Sequence, residues 1–273
     1  MIIDFHTHAF PDRIYERTIE ILEGNVKKYS GKIHKAVGSG NIDGLKTDMD
    51  NYGIDISVVL PIATNPKQTE SIIAFADEIN AGDGKLISFA SLHPMNEAPE
   101  DIVKKIAEMG FSGIKLHPDY QDFYIDSPES IRILKECERC GLIVVLHPGH
   151  DHGCAPPRHC TPQRLSNLTG ILSCSNIVCA HMGGWDMWDE AMEFVIGKPF
   201  MIDTSFSLHL LDSVKAVEII RKHGANKVLF GTDWPWFSPT DTINAVKSLN
   251  LNKEEEELIF YKNAFRLLGF SKI

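Results

Sequence analysis

Eight short apolar runs, about 32 residues apart and separated by helical patterns, predict an α/β fold of repeated strand–helix units. Most runs are continuous in Val, Ile and Leu rather than alternating, as parallel strands covered on both faces must be. Eight such units also fit a chain of 273 residues, close to the roughly 250 of a (β/α)8 TIM barrel. An open doubly wound sheet is the nearest rival. No GxGxxG follows any run, so a dinucleotide site of that fold lacks its signature.

The strands are expected at IIDFH (2–6), ISVVLP (56–61), LISFASL (86–92), SGIKLH (112–117), LIVVLH (142–147), NIVCAH (176–181), PFMIDT (199–204) and KVLFGTD (227–233). Residues 67–81, 99–110, 127–140, 210–223 and 239–249 carry apolar residues at helical spacing. Ser127 and Ser238 each precede a Pro, which suits a helix start. The first unit is stretched across 9–55, with a helix at about 12–23 and a polar segment around GSGNIDG. In a barrel this insertion lies over the mouth. The chain closes with one amphipathic helix in which Asn252 and Glu255 form a capping box and Gly269 ends the helix. No linker divides the chain, so 1–273 reads as a single domain.

Composition excludes more than it identifies. With 37 acids against 27 bases and a net charge of −10, the chain lacks the basic surface that nucleic acid requires. No apolar stretch approaches the ~20 residues of a membrane helix, and the start lacks a secretory pattern. The six cysteines are irregularly spaced, and Cys137-x-x-Cys140 has no second pair to complete a zinc site. They read as reduced thiols of a cytoplasmic protein.

Chemistry gathers where the strands end. Side chains at the C-terminal strand ends of a barrel converge on one pocket, and five of the twelve histidines fall there: His6, His8, His117, His147 and His181. His6 and His8 are two apart on a strand and therefore share a face. His147 adds a third imidazole from across the mouth and Asp233 an oxygen donor, leaving a coordination position open. That is the donor set of a catalytic Zn²⁺-type site, although ligand type alone also admits Mn²⁺, Fe²⁺ or Ni²⁺.

The set IIDFHTH, GIKLHP, LIVVLHPG, IVCAHMGG and LFGTDWP resembles the amidohydrolase superfamily. The match is closer to the amidohydrolase-related branch that includes aminocarboxymuconate semialdehyde decarboxylase. The resemblance spans the chain and implies a divalent metal at the mouth of the barrel. It implies His6, His8, His147 and Asp233 as ligands and His181 as catalytic base or acid. Binuclear relatives carry a carboxylated lysine on the fourth strand, with the fifth- and sixth-strand histidines holding a second ion. Lys115 lies near that position, so one ion or two are permitted. The decarboxylase-like branch implies one, leaving Lys115 and His117 to meet substrate. The competing reading of Lys115 is a partner for a nearby acid such as Asp119.

The loop GHDHGCAPPRHC (149–160) reads as substrate-facing, with Arg158 suited to a carboxylate; a second metal site there is the weaker alternative. Trp234 and its neighbours Trp185, Trp188 and Trp236 suit the wall of an apolar pocket or ordinary packing. The expected function is a metal-dependent hydrolase acting on a small ester, lactone or amide, with Asp233 or His181 moving the proton. Its alternatives are a non-oxidative decarboxylase or hydratase of a carboxylated small molecule, and a metal-binding barrel without turnover. A homo-oligomer is compatible with all of these.

Overall fold

The computed structural model describes residues 1–270; the last three residues of the expected 1–273 domain lie outside them. All eight predicted strands form: β1 (Ile3–Thr7), β2 (Ile56–Val59), β3 (Leu86–Ser88), β4 (Gly113–Leu116), β5 (Ile143–Leu146), β6 (Ile177–Cys179), β7 (Met201–Asp203) and β8 (Val228–Leu229). They pair in parallel as two ladders, β1-β2-β3 and β4 through β8 in order. Backbone hydrogen bonds join the ladders at both seams. Between β3 and β4, the Ala90 amide donates to Gly113 O (3.0 Å) and the Lys115 amide to Ala90 O (2.9 Å). Between β8 and β1, Phe5 donates to Phe230 O, Asp233 to His6 O and His8 to Trp234 O, at 2.8, 2.8 and 2.6 Å. The eight strands thereby complete a ring, the α/β TIM-barrel arrangement that the sequence predicts.

One side of the strands fills the ring with Phe5, Val58, Phe89, Val145 and Met201. The other packs through Ile114, Val144, Ile202 and Phe230 against the helices. Around the ring run α1 (Tyr15–Ser30), α2 (Ile42–Tyr52), α3 (Thr69–Asn80), α4 (Pro99–Glu108), α5 (Pro128–Arg139), α6 (Pro162–Ser166), α7 (Trp188–Phe194), α8 (Ser213–His223) and α9 (Pro239–Ser248). The serine caps form as expected: Ser127 accepts from the Ser130 amide and Ser238 from the Asp241 amide. All six cysteines are free. Among the described residues, no helix is long and apolar enough to cross a membrane.

Two elements differ from expectation. The insertion holds two helices rather than one. α1 runs on to Gly31, whose φ of +72° ends it, and α2 rises from the polar segment. α2 buries only Leu45 and Met49, too few apolar residues to announce a helix. The closing helix is also not continuous. α10 (Lys253–Glu257) carries the capping box of Asn252 and Glu255, then passes through a π turn at Leu258–Lys262 into α11 (Asn263–Leu267). At that turn Ile259 O accepts from the Phe230 amide, and just beyond it Asn263 Nδ2 donates to Val228 O. The widened turn therefore serves to fasten the helix to β8.

Candidate metal centre

β1 begins the site with a local irregularity. Its register against β2 slips by one residue between Asp4 and Thr7. Phe5 and His6, neighbours in sequence, consequently both reach the interior, since Phe5 packs edge-on against Phe89 while His6 meets the interior Lys115 and Asp203. Such slips re-aim side chains beside active sites. His8 follows two residues later on the same face as His6, and their Nε2 atoms lie 3.2 Å apart.

Hydrogen bonds on the far side of each ring decide which nitrogen is bare. His6 Nδ1 lies 2.8 Å from Asp203 Oδ2, and His8 Nδ1 lies 2.9 Å from the Leu60 carbonyl. Both partners only accept, so each ring donates from Nδ1 and presents an unprotonated Nε2. Asp233 Oδ1 stands 3.2 Å from His8 Nε2 and 3.5 Å from His6 Nε2. Three electron-pair donors thus face one another with no hydrogen between them. Without positive charge this arrangement is repulsive; a cation is what it fits. Among the described residues, the only cation in contact is Lys115, wholly buried, with Nζ 3.4 Å from His6 Nε2.

The same reasoning extends to His181 and His147. His181 Nδ1 lies 3.0 Å from Ser205 O, so it donates there and leaves Nε2 to accept. His147 Nδ1, 3.0 Å away, supplies that hydrogen. His147 Nε2 is then a bare lone pair, and it is buried with no hydrogen-bond partner. His147 stacks on His117, with ring centroids 4.1 Å apart. It groups with His117 and Asp151 rather than with His6, His8 and Asp233. His117 takes the Tyr120 amide on Nδ1 and donates from Nε2 to Asp151 Oδ2 at 2.9 Å, so its Nε2 is not free as a ligand. Of the four expected ligands, three converge and the fourth stands one ring away behind His181.

Electrostatics agrees with this account. Burial, then the neighbouring Lys115 charge, lowers His6 to about 3. Burial lowers Lys115 to about 8 despite Asp203, Asp233 and Asp151. Against its burial, Asp233 is held below the usual carboxylate range by the imidazoles that face it, so it stands opposite them as a carboxylate. Two site residues also carry left-handed backbone, His181 at φ +58° and Asp233 at φ +68°. This geometry costs a non-glycine residue about 1 kcal/mol or more and is concentrated at functional sites.

The amidohydrolase family profile matches residues 3–270. The chain belongs to the amidohydrolase family. No curated protein matches it by sequence. Among solved structures, it is similar to the 5-carboxyvanillate decarboxylase of Novosphingobium aromaticivorans complexed with manganese and 4-hydroxy-3-methoxy-5-nitrobenzoic acid (TM-score 0.71, 14% identity, 98% of this chain and 96% of that one). A dihydroxybenzoic acid decarboxylase of Polaromonas sp. JS666, with bound manganese and the inhibitor 2-nitroresorcinol, gives a TM-score of 0.70 at 14% identity, covering 100% and 98%. A structure described as a probable 2-pyrone-4,6-dicarboxylic acid hydrolase from Acinetobacter baumannii, with citric acid bound, gives 0.66 at 17% identity, covering 98% and 99%.

In this amidohydrolase, two expected substrate contacts have partners within the protein. Trp234 is fully buried, packs with Leu45 and Met49 of α2, and donates from Nε1 to Asp48. It anchors the insertion rather than walling the pocket, because a helix that the sequence does not announce covers it. Arg158 is engaged within the protein, donating to Asp119 Oδ2 (3.2 Å) and Cys154 O (3.1 Å). Asp119, the alternative partner of Lys115, is taken by Arg158 and His159.

Reading the sequence for histidine passes over four acids. Asp203 ends β7 as the histidines end their strands, and that position alone could have revealed it. Asp4 receives the His6 amide and both donors of Thr232. Asp151 and Asp186 lie on loops, where no periodicity marks them.

Proposed function

We propose that the chain is a single-domain, metal-dependent decarboxylase acting on a small carboxylated aromatic compound. One divalent ion would be held by His6, His8 and Asp233, with His147 as fourth ligand through its orphaned Nε2. The observation that carries this reading is the convergence of bare Nε2 atoms and a carboxylate described above. Nitrogen and oxygen donors of this kind suit zinc, and the manganese in two structural neighbours makes manganese the competing choice. Such an ion would supply fixed positive charge that stabilises negative charge developing on the substrate.

The chain's own residues do the rest. The Ser205 carbonyl holds the Nδ1 hydrogen of His181, so proton traffic would pass through Nε2, the atom that meets His147 Nδ1. Once Nε2 has taken a proton from solvent, the His181 imidazolium gives it to the ring carbon bearing the carboxylate and returns to the neutral ring; the carbon–carbon bond breaks, its electron pair stays with the ring, and CO₂ leaves. The aromatic substrate class is supported by side chains of the loops beyond β6, β7 and β8. Phe206 lies 5.7 Å from Phe237 and 6.0 Å from Trp185 between ring centroids, and His34 of the insertion meets Phe206 edge-on at 4.8 Å. Lys115 and His117 line the same end of the ring.

Hydrolysis of a lactone or ester is the second reading, favoured by the hydrolase among the neighbours. Asp233 would then take the proton from water and return it to the leaving group. The test is to follow CO₂ release from hydroxylated benzoates in zinc- and manganese-loaded protein, beside ring opening of pyrone dicarboxylates. CO₂ release that His181→Ala lowers by about 10²- to 10⁴-fold supports decarboxylation. Turnover of the lactones alone would replace that reading with hydrolysis.

A further inference from the structure

A second group of donors stands at the rim of the mouth. His152 Nε2 lies 3.6 Å and His150 Nδ1 3.9 Å from Asp186 Oδ2, and all three donor atoms fall within 4.8 Å of one another. Atoms bound about 2.0–2.2 Å from a tetrahedral ion lie about 3.3–3.5 Å apart. The two histidine–aspartate edges are therefore within about half an ångström of that spacing, and the third donor pair lies within 4.8 Å. Among the described residues, no hydrogen bond engages the His150 or Asp186 side chain. His152 Nε2 faces Lys32 Nζ at 3.2 Å, so its lone pair already receives positive charge.

The donors come from two loops that are locked together. After β5 and β6, the Trp185 amide donates to Pro148 O (3.0 Å) and the His150 amide to Trp185 O (2.7 Å). Between them Gly149, at φ +98°, lies so close that a Cβ would sit 2.3 Å from the Trp185 backbone N and O. Only glycine permits that approach. The Trp185 ring packs edge-on against His152, with centroids 4.3 Å apart, and donates from Nε1 to Phe206 O. The backbone carrying all three donors is thus fixed before any ion arrives, as a binding site requires.

We propose that His150, His152 and Asp186 form a rim site for a borderline divalent transition ion, zinc being the type case, distinct from the inner centre. Two imidazoles and one carboxylate hold the ion, the remaining position stays open to water or an anionic group, and Lys32 is displaced on binding. The site does not depend on the reaction proposed above.

Zinc titration of the metal-free protein by calorimetry, with elemental analysis, tests it. H150A/D186N should bind one equivalent fewer than the unaltered chain, whether the inner centre takes one ion or two. H6A/H8A should lose inner binding and keep the rim equivalent. Lys32→Met, which removes the competing ammonium, should tighten the rim class about tenfold. Unchanged stoichiometry in H150A/D186N, or no zinc retained by H6A/H8A with native circular dichroism, would overturn the proposal. Asp186→Asn alone provides a milder variant, in which the rim class should weaken; an unchanged rim affinity counts against the site.

Discussion

The inner and rim donor sets use the same residue types, yet they are held in opposite ways. The inner donors sit at strand ends, and the far sides of the His6 and His8 rings are already committed, to Asp203 and to Leu60 O. Burial then removes water as a competing partner. The rim donors sit on loops, and the His150 and Asp186 side chains are 44% and 47% exposed. Only the backbone beneath them is fixed. The difference teaches that orientation of a ligand is built from behind: rings pinned at both ends define a tautomer, while rings pinned only by their backbone define a place.

The largest effect expected from that contrast is at Asp233. Asp233→Asn keeps the shape but removes the charge opposite His6 and His8, so inner metal content should collapse and kcat/KM should fall about 10³-fold. Retention of a full inner equivalent would show that Asp233 is not a ligand. Asp203→Asn tests pinning from behind, and inner metal affinity should drop about 10- to 100-fold with the rim affinity unmoved. Equal weakening of both classes would erase the distinction between them.

A smaller effect concerns Asp4, a buried support that the rim lacks. Burial raises its carboxyl to about 7, against the opposing hydrogen bonds from Thr232 and the His6 amide. Between the ordinary value of 3.8 and about 7 the folded chain keeps a proton that the unfolded chain has released. Stability from this group is therefore present at low pH and lost as pH rises through that window. Denaturant unfolding at pH 4 and pH 8 should show wild type losing about 4 kcal/mol relative to Asp4→Asn. Identical pH slopes would remove Asp4 as a titrating support. Least of all, Gly149→Ala should push the two rim loops apart and weaken rim zinc binding about tenfold, leaving the inner class alone. Calorimetric titration reads both classes at once.

The sequence made the strands legible because each is a compact apolar run, and parallel ladders demand little else. It made His6 and His8 legible because a spacing of two on a strand fixes their common face. That they share the interior with Phe5 was not legible, since the slip between Asp4 and Thr7 has no signature in residue type. α2 escaped notice because two buried side chains suffice to dock it, and without it the packing of Trp234 could not be told from a pocket wall. His150 and His152 stood out in their loop, but Asp186, which completes the set, lies 34 residues beyond His152 on a different loop. Only tertiary structure brings the two loops together.

The seam between β8 and β1 would give the proposed inner centre a role in assembly. Residues 6, 8 and 233 lie on or just beyond the first and last strands, so an ion held by all three would clasp those two strands across the joint that finishes the ring. A chain still lacking its last strand has no acid to offer and no joint to clasp. An ion present at a thousand times its dissociation constant would add about 4 kcal/mol to the finished form alone, so metal uptake would report that the barrel is complete.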